Sequence, residues 1–209
     1  DGADMEAVRR DVLSGIWRIL CIHLGTPPEK FIWQWQDKDK KFHRKGEMTP
    51  LAFAKEYIET SLDEYVCVVN DPRESSPLMT TYTVECLGNV VGGDLVKYLN
   101  IDTTVMKSLT QKMLEDGKPV WMGCDVAKMF RRDVGIWDAE LYDFESVYGT
   151  DLGLTKAERL EYHQTLMTHA MLFTGVDVHD GVPVKWRVEN SWGEDEVGEK
   201  GYHAMNDSW

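Results

Sequence analysis

The feature that most constrains this chain is Asp180-Gly181, set between two runs of alternating apolar and polar residues that span 166–178 and 182–192. An Asp-Gly pair tolerates the left-handed backbone of a tight reversal, so its position between such runs predicts a β-hairpin. Pairing residue 177 with residue 182 across a four-residue loop sets His169 opposite Asn190. On that face Met171, Phe173 and Gly175 meet Val188, Trp186 and Val184; on the other, Ala170, Leu172 and Thr174 meet Glu189, Arg187 and Lys185. One face is apolar and the other suits water, as a sheet covered on one side requires. The register thus predicts a histidine beside an asparagine at the end of an apolar face. An asparagine oxygen that accepts a ring N–H selects the histidine tautomer and frees the other nitrogen as a base. A lone histidine at a strand end is otherwise only a satisfied polar residue, and the surrounding residues decide between the two readings.

Asn190-Ser191-Trp192-Gly193 follows its strand directly, with a histidine on the strand before, and this order resembles the papain-type cysteine peptidases. The closer resemblance is to the branch of bleomycin hydrolase and aminopeptidase C. It is carried by Leu24-Gly25-Thr26-Pro27-Pro28, Asp37-Lys38-Asp39, Thr49-Pro50-Leu51, Asn70-Asp71-Pro72, Tyr82-Thr83-Val84-Glu85 and Val91-Gly92-Gly93. Denser matches follow in Trp121-Met122-Gly123-Cys124-Asp125-Val126, Leu141-Tyr142-Asp143, Lys156-Ala157-Glu158-Arg159-Leu160 and the segment from Thr168 to Trp192. The resemblance implies an α+β chain with a papain-like cysteine peptidase fold, incomplete here. Residues 1–62 would be a mostly helical insertion segment and 63–209 a β-rich lobe with an antiparallel sheet. It implies His169 as general base and acid, Asn190 as its orienter and Trp192 as a shield over their hydrogen bond. It also implies a cytosolic aminopeptidase acting on peptides through an acyl-enzyme, with no cofactor or metal, assembled at full length as a ring-like homo-hexamer.

A cysteine peptidase needs a thiolate, and none of Cys21, Cys67, Cys86 and Cys124 suits that role. Cys21 stands at a papain-like separation from His169, yet it lacks the flanking small residues and the following aromatic. Val8, Val12, Ile16, Ile19, Leu20 and His23 recur at helical spacing, which places Cys21 in the last turns of an amphipathic helix. Cys67, Cys86 and Cys124 lie in strand-like runs, where a free cysteine reads as a small buried hydrophobe. By the resemblance, the nucleophile and the oxyanion-hole glutamine lie upstream of Asp1. A C-terminal arm that restricts cleavage to the amino end would follow Trp209. No Cys-x-x-Cys pair or His-Glu-x-x-His helix supports zinc.

Lys plus Arg number 23 against 36 Asp plus Glu, a net charge of −13 that argues against nucleic acid as a partner. The dense basic group Lys38, Lys40, Lys41, His43, Arg44 and Lys45 reads as a solvated loop face. No apolar run is long enough for a membrane span. Four unclustered cysteines and the lack of a visible signal peptide fit a cytoplasmic protein.

Helices are expected from about Met5 to His23, from Pro50 to about Thr60 with Thr49 as cap, and from Thr104 to Glu115. Thr155 and Glu158 form a capping-box pattern that opens another helix. Phe31, Trp33 and Trp35 alternate with Ile32, Gln34 and Gln36, a half-buried strand rather than a sugar-binding platform. Further strands are expected over 65–70, 80–85, 120–125 and 200–205, the last after a Gly193–Gly201 loop. The stretches 70–80 and 123–144 read as long polar loops of the kind that carry substrate contacts. Two functions remain open: the catalytic portion of a cysteine aminopeptidase, inactive as these residues alone, or a non-catalytic module that associates with the rest of its fold or with other copies.

Overall fold

A computed structural model describes residues 2, 4–58, 60–88, 90, 92–194 and 198–209. Val91 of the Val-Gly-Gly motif and residues 195–197 of the expected Gly193–Gly201 loop lie outside the described residues. The chain divides into two units, Asp1–Tyr65 and Val66–Trp209.

In the first unit, helix α1 spans Met5–Leu24. Asp4 caps it by accepting the backbone N–H groups of Glu6 and Ala7 at 3.0 and 3.3 Å. It ends at Gly25, whose φ of 86° lies where an L side chain is strained. None of its residues is buried within the unit, and the stripe of Val8, Val12, Ile16, Ile19 and Leu20 is open, with Cys21 half-buried beside it. Strand β1, Phe31–Gln36, pairs antiparallel with β2, Phe42–Met48. The expected alternation of β1 is present: Phe31, Trp33 and Trp35 turn inward against Phe53 and Tyr57 of helix α2, Pro50–Tyr57. Thr49 accepts the Ala52 N–H at 3.1 Å as cap. Helix α2 ends three residues before the expected Thr60, because Ile58 adopts extended backbone while its N–H still bonds the Ala54 carbonyl. The basic residues 38–45 surround the β1–β2 turn and continue into β2, with Arg44 and Lys45 in the strand and exposed.

The second unit opens with a three-stranded sheet in the order β3, β5, β4: Val68–Val69, Tyr98–Asn100 and Thr81–Tyr82. Strands β3 and β4 are shorter than the expected 65–70 and 80–85, because polar side chains rather than a ladder hold the intervening turn, and β5 lies where no strand is expected. The fully buried Asn100 accepts the Asp71 N–H and donates to the Asp71 and Ser76 carbonyls at 2.8–2.9 Å. This shortening corrects the expectation for two cysteines. Cys67 precedes β3 and is exposed, and Cys86 sits at φ 62° in a turn beyond β4, also exposed. Helix α3, Thr103–Glu115, is capped by Asp102 and starts one residue before the expected Thr104.

The main sheet has six strands in the order β6, β9, β10, β11, β8, β7. Their bounds are Val120–Cys124 for β6, Phe130–Arg131 for β7, Ile136–Trp137 for β8, His169–His179 for β9, Val182–Glu189 for β10 and Tyr202–Asn206 for β11. All neighbours run antiparallel except β11 and β8. The core on one face is Trp137, Met171, Trp186, Val188 and Met205. Two short helices intervene, α4 at Phe144–Tyr148 and α5 at Lys156–Glu161, the latter with the expected capping box between Thr155 and Glu158.

The hairpin differs from the expected register. Val182 pairs with His179, so the loop is Asp180-Gly181 alone, with φ of 52° and 81°. Positive φ at both positions is the type I′ geometry whose twist matches the strands, and Asp-Gly favours it over a four-residue loop. The register is therefore displaced by two residues, which keeps side chains on the expected faces. Two bulges then intervene. Val184 is extra on β10 and Thr174 is extra on β9, so the shifts cancel before the strand ends. Arg187 fixes the second bulge by donating from Nε to Thr174 Oγ1 and from its outer nitrogen to the Thr174 carbonyl, both at 3.0 Å. Their local effect is to place Val176, rather than Gly175, opposite Trp186 and to leave Val184 exposed. The stretch 123–144 is also not a plain loop: a reversal at Gly135, φ 69°, adds β7 and β8 to the sheet and buries Trp137 completely.

Candidate active site

The β9 strand begins at His169, directly opposite Cys124 of β6. On the other side, the register of β10 leads one step past Glu189 and Leu172 to put Asn190 beside Met171. His169 and Asn190 are thus diagonal rather than directly opposite neighbours on one face, within reach of a polar side chain. His169 Nε2 lies 2.8 Å from Asn190 Oδ1. That oxygen also accepts the Ser191 backbone N–H at 2.8 Å. An amide oxygen can only accept, so Nε2 carries the proton in this bond and the neutral ring presents an unprotonated Nδ1. Asn190 itself is tied to the sheet by its backbone N–H on the Gly201 carbonyl, at 3.1 Å.

Trp192 completes the arrangement. Its ring stacks on that of His169, centroids 5.5 Å apart and planes at 25°. Trp192 is held in turn by Phe130 at 5.8 Å, by the Arg132 guanidinium 5.3 Å from its centroid and by His203 at 5.9 Å. Sequence reasoning missed these last three residues. His203 alone had a signal, since the alternation of β11 pairs it with the buried Met205 on the core face. Phe130 and Arg132 lie in a stretch read as a loop.

The cysteine nearest the pair in the sheet is a poor nucleophile. Cys124 packs against the core, and burial pushes its thiol up to about 12, with the Asp125 charge acting in the same direction. A thiol of that kind is almost wholly protonated at neutral pH. Cys67 and Cys86 are exposed and lie in the segments around β3 and β4. Among the described residues no three His, Cys, Asp or Glu side chains gather as metal ligands, and no helix is long and apolar enough to cross a membrane.

Known proteins agree on the kind of molecule this is. The profile of the Peptidase C1-like family matches residues 1–209. The bleomycin hydrolase of Rattus norvegicus is 44% identical over 99% of this chain and 46% of its own length. The aminopeptidase C of Lactococcus lactis is 42% identical over 100% of this chain and 48% of its own. The crystal structure of PepW from Lactobacillus rhamnosis HN001 superposes with a TM-score of 0.90 at 47% identity, over 100% of this chain and 47% of that one. The chain therefore spans about half the length of the curated relatives it matches, and its fold is the mixed α+β arrangement of a papain-like peptidase. With the motif, the sheet and these likenesses in agreement, the chain belongs to the Peptidase C1-like family.

Proposed function

We propose that this chain supplies the proton-shuttling part of a cysteine aminopeptidase, with His169 as general base and acid, Asn190 as its orienter and Trp192 as their cover. The observation that carries the reading is the 2.8 Å bond from His169 Nε2 to Asn190 Oδ1, with the amide oxygen fixed by a second donor. Curated relatives named aminopeptidase C and bleomycin hydrolase supply the reaction class.

The chemistry follows from what Nδ1 can do. A cysteine outside these residues gives its proton to Nδ1 and becomes a thiolate. The thiolate attacks the carbonyl carbon of the amino-terminal residue of a peptide. Imidazolium Nδ1–H then donates to the leaving amine as the C–N bond breaks, which leaves an acyl-enzyme. Water enters, Nδ1 takes one of its protons, the resulting hydroxide attacks the thioester, and the thiolate departs. Asn190 accepts Nε2–H in both charge states of the ring, so it holds the geometry without opposing the proton cycle.

The test is hydrolysis of aminoacyl reporter substrates by the full-length protein and by these 209 residues alone. The full-length protein should turn over, its His169→Ala variant should be slower by about 10²–10⁴-fold, and the shorter chain should give no turnover. A wild-type rate in His169→Ala defeats the reading. A second reading, a non-catalytic module that associates with the rest of its fold or with other copies, draws support from the open apolar stripe of α1, where Val12 is 56% and Ile19 57% exposed. Inactivity of the full-length protein would favour it.

A further inference from the structure

Trp192 is where the candidate site meets the sheet behind it, and His203 is the polar residue at that junction. His203 lies on β11 opposite Val188 and is 4% exposed. Its ring is boxed by Trp192 at 5.9 Å, Trp137 at 5.2 Å and Phe130 at 6.0 Å. Backbone closes the remaining side: a Cβ on Gly135 or Gly198 would come within 3.1 or 3.3 Å of His203 Cδ2. Neither ring nitrogen finds a hydrogen-bond partner among the described residues. Burial is the main cause that holds the imidazole below its ordinary pKa, which favours the uncharged ring.

A buried donor without a partner is unfavourable, and an apolar side chain of similar size would fill the box without that penalty. The ring geometry supplies a compensation. His203 and Trp192 are nearly perpendicular, with planes at 85°, the arrangement in which the edge of one ring meets the face of the other. The aromatic faces around His203 can also take its N–H as a weak acceptor would. The same indole then stacks on His169.

We propose that His203 is a positioning residue for the His169–Asn190 pair: set edge-to-face against Trp192, its ring fixes the indole over His169. The inference rests on the functional reading above, and its first readout is independent of activity. A stacked indole shifts the ring protons of His169 upfield in NMR spectra. In the full-length protein His203→Phe, which keeps an aromatic ring, should retain that shift and the wild-type kcat. His203→Leu, which keeps bulk alone, should lose more than about half of the shift. Its kcat should fall about tenfold with KM unchanged, since His203 touches no substrate. If His203→Leu does not fold, His203→Met fills the same space and replaces it. A full His169 shift in the ringless variant overturns the proposal, as does an equal loss with phenylalanine. So does a wild-type spectrum without NOEs between the His203 and Trp192 rings. Unchanged kcat in a ringless variant that has lost the shift, beside a slowed His169→Ala, also overturns it. A wild-type rate in His169→Ala instead removes the catalytic reading and leaves the NMR result to stand by itself.

Discussion

Two hairpins of this chain, β1–β2 and β9–β10, build nearly the same local object and differ in the charge of one acceptor. In the first unit His43 Nε2 lies 2.7 Å from Asp37 Oδ2, and Trp35 stacks on its ring at 5.1 Å and 14°. In the second, His169 Nε2 lies 2.8 Å from Asn190 Oδ1, and Trp192 stacks at 5.5 Å and 25°. The first acceptor is a carboxylate whose other oxygen takes the backbone N–H groups of Asp39 and Lys41 at 3.0 and 2.9 Å. The His43 bond, and then the Lys41 N–H, hold Asp37 below the usual carboxylate range. A carboxylate partner favours the charged imidazole, whereas an amide fixes the tautomer without choosing the charge. A histidine that must gain and lose a proton in each turnover is served by the amide. Ring stacking and a short bond to oxygen are therefore common to both histidines. What sets His169 apart is its uncharged acceptor and its place at the end of a core sheet face.

The widest separation between the two hairpins should appear on removing the histidines. In the full-length protein His169→Ala should lower kcat/KM for an aminoacyl reporter by about 10²–10⁴-fold. His43→Ala should stay within about twofold of wild type in the same assay. Equal losses from both would erase the distinction.

Packing should separate the units next. Trp137 is fully buried in the second unit and Ile32 is 52% exposed in the first. Urea unfolding should show Trp137→Ala to be about 3–5 kcal/mol less stable. Ile32→Ala should change stability by no more than about 0.5 kcal/mol.

Removing the acceptors tests the amide itself. Asn190→Ala should cost about ten- to a hundredfold in kcat, or ~1.4–2.7 kcal/mol, because the base remains but its tautomer and orientation are no longer fixed. Asp37→Ala should leave kcat unchanged. An unaltered rate in Asn190→Ala would take the residue out of the site.

The smallest effect concerns carboxylates. Arg73 foremost, then the Ser76 hydroxyl, hold Asp71 at about 2, with its side chain 20% exposed. Its folded pKa lies below the unfolded value of about 3.9, so its contribution is complete above about pH 4 and is lost as pH falls toward 2. After allowance for solvent screening the loss should be about 1–2 kcal/mol. Chemical denaturation across that range should show the slope in wild type and its reduction in Asp71→Asn. The Asp37 pair, more open than Asp71, should give a smaller slope in the same direction.

What was legible in the sequence was local. Thr49 and Thr155 sit where a helix needs an acceptor for its first free N–H groups, and each helix begins there. The period-two pattern of Phe31, Trp33 and Trp35 gives a half-buried strand because side chains of a pleated strand alternate faces. His169 and Asn190 could be placed on one face because parity survives a displacement of two residues. The bulges at Thr174 and Val184, the exposure of Cys67 and Cys86, and the entry of Phe130 and Trp137 into the sheet were not legible. The bulges answer to packing across the hairpin, and the others depend on partners more than twenty residues away or on a single left-handed residue.

The sequence by itself determined the hairpin, the residues at its open end and the family, because turn chemistry and alternation act between neighbours in the chain. Only the tertiary structure decided that the loop has two residues, that two opposed bulges restore the register, and that Trp192 rests on a buried histidine of the neighbouring strand β11. Those outcomes belong to close packing, in which each side chain settles against neighbours that chain order does not name.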